Sequence, residues 1–166
     1  MSHTKISLWC KSLFQLFNHF VSFDVLLLII LRTRFGGTDG KYHYNDTWVF
    51  DTMSKTWSEL VCTGYIPSQR EGHAAALVDD IMYVFGGRGV DGANVGQLAA
   101  FKITSKRWFM FQNMGPEPSA RSGHGMAAIG SRVYVLGGVC EEDDLTASKG
   151  EESNFVHILD TGRLCG

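Results

Sequence analysis

Apolar and polar positions along the chain fall into short runs that suit strands and not helices. Ile81-Met82-Tyr83-Val84-Phe85 is a continuous apolar run of strand length, closed by Gly86-Gly87. Ahead of it, His73-Ala74-Ala75-Ala76-Leu77-Val78 predicts a strand of small residues, and Asp79-Asp80 predicts a tight polar turn between the two. Thr47-Trp48-Val49-Phe50 and Leu98-Ala99-Ala100-Phe101 predict further strands, each leading through a short turn to another around Trp57 or Trp108. Four short strands with no helical stretch between them predict an antiparallel sheet rather than a β-α-β unit.

The pattern repeats. Shifted by 51 positions, Arg70-Glu71-Gly72-His73 returns as Arg121-Ser122-Gly123-His124, and Tyr83-Val84-Phe85-Gly86-Gly87 returns as Tyr134-Val135-Leu136-Gly137-Gly138. Residues 48–87 and 99–138 share fifteen identities in forty positions, where chance composition gives about two or three. In the later copy Gly130-Ser131 takes the turn position, which suits a hairpin needing positive φ. Trp57 and Trp108 recur with the period, so both are expected in the core between neighbouring units. Self-similarity at this period points to radial or stacked modules.

An apolar strand ending in Gly-Gly, then Asn45-Asp46 before Trp48-Val49-Phe50-Asp51, then Trp57, Gly64, Pro67 and Arg70-x-Gly-His73, resembles the kelch repeat. The resemblance covers about Phe35 to Asp160. It implies an all-β fold, a partial kelch β-propeller with about two complete four-stranded antiparallel blades and partial blades at each end. The units are placed at about 35–72, 73–123 and 124–166. Two to three blades leave sheet edges unpaired, so the chain is expected to be a fragment of a longer propeller or to self-associate through open edges.

Residues 1–34 carry no repeat and are read as a non-native or poorly ordered N-terminal extension. Arg32-Thr33-Arg34-Phe35 puts charges where Met82 and Val84 stand in the next copy. The apolar run Val25–Leu31 is far shorter than the roughly 20 residues a membrane helix needs, and no small-residue cleavage site follows it. A cytoplasmic protein is expected, at the cell cortex or tip. Secretion or anchoring through the apolar N-terminal segment is the alternative.

Composition narrows the function classes. The 166 residues are 45% hydrophobic and 19% charged, with 19 glycines against 3 prolines, a balance for a folded chain rich in turns. Fifteen basic against seventeen acidic side chains give a net charge of -2, which leaves no basic footprint for nucleic acid. The four cysteines, at 10, 62, 140 and 165, show no C-x-x-C spacing and read as reduced thiols. Gly86-Gly87 precedes no helix and no Lys-Ser/Thr, so it lacks the parts of a phosphate cradle. The run Glu141-Glu142-Asp143-Asp144 lacks the calcium-loop pattern and reads as a solvated acidic loop suited to a basic partner surface.

His73 and His124 occupy the same place in consecutive units, so they cannot converge on one metal. They are expected to bond backbone. Function is placed in the loops after the glycine pairs and the connections entering each first strand. The expected partner-binding face holds Tyr42, His43, Arg70, Arg88, Asp91, Asn94, Arg121, Glu141, Glu142, Asp143 and Asp144. Arg70 and Arg121 are also expected to bond carbonyls between blades. No cofactor and no metal are expected.

Resemblance implies a non-catalytic protein-interaction scaffold similar to the kelch units of fungal cell-end polarity scaffolds and small-GTPase-associated kelch proteins. Cell polarity, the cytoskeleton or small-GTPase signalling are the settings it implies. The alternative reading is a fragment of a galactose-oxidase-like copper-radical oxidase, for which Tyr42-His43-Tyr44 is the suggestive local cluster.

Overall fold

The computed structural model describes residues 31–111, 118–140 and 156–163. The expected N-terminal extension up to residue 30 and the acidic run Glu141–Asp144 lie outside the described residues.

Along the chain, β1 (Leu31–Thr38), β2 (His43–Asp51) and β3 (Thr56–Glu59) form the first sheet in that order. Two short strands follow, β4 (Thr63–Gly64) and β5 (Arg70–Glu71). The second sheet is built from β6 (Ala74–Val78), β7 (Ile81–Phe85), β9 (Leu98–Lys102) and β10 (Arg107–Met110), with β8 (Arg88–Gly89) in the loop between. After β11 (Arg121–Ser122), the third sheet holds β12 (Gly125–Ile129), β13 (Arg132–Leu136) and β15 (His157–Asp160), with β14 (Val139–Cys140) in its loop. A 3-10 turn, Thr161–Arg163, ends the described chain.

Every pairing within these repeats is antiparallel, with β6 at one edge of the second sheet and β7, β9 and β10 beyond it. These are three successive blades of a β-propeller. β4 adds a feature that the sequence pattern does not contain: it pairs in parallel with β10, Trp108 opposite Gly64. A two-residue strand has no periodicity to read. Here the chain leaving the first blade is laid along the outer edge of the second.

β1 forms in spite of its charges and starts at Leu31, ahead of the boundary expected at residue 34. Ladder bonds come from the backbone, while the Arg32 and Arg34 side chains stand exposed. The register breaks between Phe35 and Gly37, a bulge that places Gly36 at φ 54°. Its counterpart Gly86, at φ 68°, is pressed against the next blade. A Cβ there would stand 2.5 Å from the Arg121 carbonyl and 2.6 Å from the His124 ring. Paired glycines are therefore places where neighbouring blades approach closely.

The core lies between sheets. Phe35 from the first blade packs with Met82, Val84, Ala99, Phe101 and Trp108 from the second. Ala76, Val78, Tyr83 and Ala100 from the second blade pack with Val133 from the third. Trp108 is 1% exposed, its ring 4.7 Å from Phe35 and 5.0 Å from Phe101, and its Nε1–H donates to Thr47 Oγ1 at 3.1 Å. Trp57 corrects the expectation that both tryptophans are core. It rests on Phe50 at 5.1 Å yet is 52% exposed. The difference is a neighbour: no described residue does for Trp57 what Phe35 and Thr47 do for Trp108.

Candidate functional site

At one end of the blades the glycine pairs turn the chain, and short ribbons join each loop to the connection entering the blade. Arg70 pairs with Gly89 and Glu71 with Arg88, while Arg121 pairs with Cys140 and Ser122 with Val139. The loops are stitched to each other as well. His43 Nε2 lies 3.5 Å from Glu71 Oε1, and Asn94 Nδ2 donates to the Val139 carbonyl at 3.1 Å. Inside the loop after β8, Gly89 N–H donates to Ala93 O, and Ala93 N–H donates to Asp91 Oδ1 at 3.1 Å. Such internal bonding gives loop residues a fixed arrangement, so a surface built from them is pre-organised.

That surface runs from Tyr42 and His43 across Glu71, Arg88 and Asn94 to Val139. Tyr42, Arg88 and Asp91 are exposed, and His43 and Asn94 are half-buried. Val90 and Val139 are exposed apolar members of the same face that sequence reasoning passed over. Their signal was available: an apolar residue at the tip of a polar loop has no core to serve. Glu71 was also passed over, because the His43 it approaches lies in another blade.

Arg70 and Arg121 take a different place from the one expected for partner contacts. Both are fully buried. Arg70 donates through Nε to Ser68 O at 3.1 Å, through Nη1 to Gly86 O at 3.2 Å, and through Nη2 to Ser68 Oγ and Gln97 Oε1, each at 2.9 Å. Arg121 repeats the pattern on Ser119 O, Gly137 O and Ser119 Oγ. The guanidinium fork holds the start of a blade to the carbonyl of its own glycine pair. Each arginine thus shapes the loop face from beneath and does not form its surface.

The histidines sit just below. His73 Nε2–H donates to the Phe35 carbonyl at 3.1 Å, while its buried Nδ1 has no partner among the described residues. His124 packs edge-on against Phe85, ring centroids 5.4 Å apart. Burial, with Arg70 or Arg121 nearby, holds both imidazoles below the ordinary 6.5. At pH below about 6.5 the unfolded chain takes up protons that the folded chain refuses. Stability is therefore full above that pH, falls as pH drops below it, and levels off once the folded imidazoles are protonated. Thermal melts between pH 8 and pH 5 check this, and His73→Gln is expected to flatten the slope.

Tyr42, His43 and Tyr44 do not converge. Tyr44 O–H donates to Asp39 Oδ2 at 2.9 Å, Tyr42 is turned to solvent beside Lys41, and His43 faces Glu71. Alternation along β2 sends neighbours to opposite sides. A cleft lined by Arg32, Thr33, Ala75, Leu77 and Met82 lies between the first two blades, away from the loop face. It assembles no acid–base or nucleophilic group. Among the described residues, no group of three His, Cys, Asp or Glu side chains could hold a metal.

Meandering sheets with glycine pairs, two of them tied by a buried arginine, define a repeat-built propeller of the kelch type. Residues 32–163 match the KLHDC2/KLHL20/DRC7 Kelch-repeats domain, and the chain belongs to this kelch-repeat family. Among curated proteins it is similar to Kelch domain-containing protein 3 of Homo sapiens, 30% identical over 127 residues covering 72% of this chain and 32% of the relative. It is 35% identical to the Rab9 effector protein with kelch motifs of Bos taurus over 117 residues, 67% of this chain and 32% of that protein. Rho GTPase-activating protein gacHH of Dictyostelium discoideum is 28% identical over 137 residues, 78% of this chain and 9% of its own length. The chain thus spans about a third of the first two relatives. Among the described residues, no helix is long and apolar enough to cross a membrane.

Proposed function

We propose that the chain is a non-catalytic protein-interaction module that presents its stitched loop face to a protein partner. The observation that carries this reading is the continuous run of exposed Tyr42, Arg88, Val90 and Val139 on loops bonded across blades. Mixed apolar and charged residues on a rigid platform are the composition of a protein interface. Relatives named as a Rab9 effector and a Rho GTPase-activating protein support small-GTPase signalling as the setting. That setting suits a cytoplasmic protein working at the cell cortex or tip, in polarity or cytoskeletal control. The acidic run Glu141–Asp144 is proposed to bind a basic partner surface.

Binding of purified Rab- and Rho-type GTPases, loaded with a GTP analogue, to the immobilised chain tests the reading. Tyr42→Ala, Arg88→Ala and Val90→Asp together are expected to weaken binding at least ~10-fold, at exposed positions where the fold is spared. Binding unchanged by the triple substitution overturns the face. Absence of binding to every GTPase overturns the signalling assignment.

A further inference from the structure

The loop face is tied across its two seams by contacts of different kinds. Between the second and third blades, Asn94 Nδ2 donates to the Val139 carbonyl, a neutral bond that pH does not change. Between the first and second, His43 Nε2 lies 3.5 Å from Glu71 Oε1, and that ring nitrogen is buried with no hydrogen-bond partner among the described residues. Each member of the contact adjoins an exposed residue of the face. His43 follows Tyr42 in the chain, and Glu71 stands opposite Arg88 in the β5–β8 ribbon. A neutral imidazole offers the carboxylate no charge, so the approach becomes an ion pair only when the ring takes a second proton. Imidazole is the side chain whose charge ordinarily changes between about pH 5 and 8.

The groups around this contact leave the carboxylate to the histidine. β5 packs against both β1 and β2. From β5, Arg70 turns its guanidinium to Ser68, Gly86 and Gln97. From β1, Arg34 donates to the Gly36 carbonyl at 3.2 Å, and uncharged Thr38 stands opposite His43 in the ladder. On β2 and the turn before it, Tyr44 bonds Asp39, Lys41 stands over the Tyr42 ring, and Asp46 accepts from Trp48 Nε1. Arg88 of β8 is exposed, and His73, two residues beyond Glu71, bonds the Phe35 carbonyl. Asp39 and Asp46 thus carry hydrogen bonds of their own, whereas the Glu71 carboxylate has no partner but His43 among the described residues. The setting is the reverse of that at His73 and His124, where burial and a nearby arginine disfavour the proton.

We infer that a proton on His43 latches the first seam of the loop face, closing an ion pair onto Glu71 that fixes Tyr42 and Arg88 relative to one another. The latch regulates the face already proposed to meet a protein partner, and its effect on that partner rests on that reading. Its sign follows from the charges. Pairing is present on the acid side and is lost as pH rises and the ring returns its proton to water. The two side chains are 23% and 38% exposed, so water and salt weaken their attraction and the gain is about 2–5-fold, as for ion pairs near a surface. A face already held in its binding arrangement needs less ordering when the partner arrives, so affinity rises by the same factor. Protons on buried His73 and His124 act in the opposite sense, because they destabilise the fold beneath the face. Partner affinity is therefore expected to climb from pH 8 toward pH 6 and to fall again in stronger acid.

Hydrogen–deuterium exchange of the full chain, read by mass spectrometry at pH 8 and pH 6, tests the latch without a partner. Wild type, His43→Gln and Glu71→Gln are compared at each pH, so intrinsic exchange rates and the buried histidines are common to all three. At pH 6, residues 42–44 and 88–93 are expected to exchange about 2–5-fold more slowly in the wild type than in either variant, with the contrast absent at pH 8. Wild type and variants alike at pH 6 overturn the latch. So does a contrast of equal size at both pH values, which marks a contact that holds the seam without a proton. The variants remove opposite ends of one pair, so either decides the point if the other does not fold. Binding of the GTP-analogue-loaded GTPases supplies the second readout. The gain in affinity from pH 8 to pH 6 is expected to be about 2–5-fold larger in the wild type than in each variant, and to shrink in high salt. Binding with equal gains in all three chains overturns the latch and leaves the loop face as the partner site. Absence of binding to every GTPase overturns the signalling assignment alone, since the exchange result stands without it.

Discussion

Trp108→Ala is expected to cost the fold about 3–5 kcal/mol, the usual range for truncating a buried aromatic. Its ring lies between Phe35 and Phe101, and its indole N–H donates to Thr47 Oγ1, a group buried between blades. Truncation leaves a cavity at the seam and an unpaired buried hydroxyl. The loss is comparable to the whole stability of many domains, ~5–15 kcal/mol, so the variant is expected to be largely unfolded at 37 °C. Trp57→Ala removes the same atoms from the same strand position one blade earlier. It is expected to cost about 1 kcal/mol, since half of that side chain is already in water. Urea unfolding of the two variants side by side measures the contrast. Equal losses would mean that the tryptophan stabilises its own blade and that the seam contributes little.

Arg121→Met, and likewise Arg70→Met, is expected to destabilise by about 3–5 kcal/mol. Two effects oppose each other at these sites. A buried guanidinium is costly to desolvate, and methionine relieves that cost. Against this, removal of Arg121 orphans the carbonyls of Ser119 and Gly137 and the Ser119 hydroxyl, at about 1–3 kcal/mol for each buried group left unpaired. The hydrogen bonds win because the acceptors are backbone groups that cannot move to water without opening the loop. Arg121→Lys is not expected to rescue: one ammonium cannot reproduce a fork that spans a preceding carbonyl and the glycine pair. Thermal melting of the three variants checks the direction. The loop face is expected to loosen with them, so partner binding falls even though neither arginine reaches the surface.

The two predictions mark where pattern stopped being informative. Arg70 and Arg121 were recognised from their return once per unit, but the carbonyls they hold, expected between blades, belong to the connection and glycine pair of their own blade. Their burial was not legible, because a linear sequence does not say which loop folds over a side chain. Periodicity also made Trp57 and Trp108 equals, and they are not. A repeat records what a residue is built to meet, whereas exposure depends on whether a neighbour is there to meet it. Arg32 and Arg34 put charges where Met82 and Val84 stand in the next copy, and β1 forms there, since ladder bonds between backbones are indifferent to side chains that point to solvent. Conversely, what sets Val90 and Val139 on one face is the Gly89–Ala93 and Asn94–Val139 bonding of their loops, a long-range pairing that no local pattern shows.

By itself the sequence determined the local terms: apolar runs of strand length, turns at Asp79-Asp80 and Gly130-Ser131, glycine pairs free to take positive φ, and a period of about fifty residues that makes successive sheets alike. These follow from short-range sterics and from the alternation of side chains along a strand, which any copy of the unit obeys. Tertiary structure alone decided which copies are covered. Burial of Trp108 against Phe35 and Thr47 arises from contacts between residues far apart in the chain, and such contacts belong to the arrangement of blades rather than to any one of them.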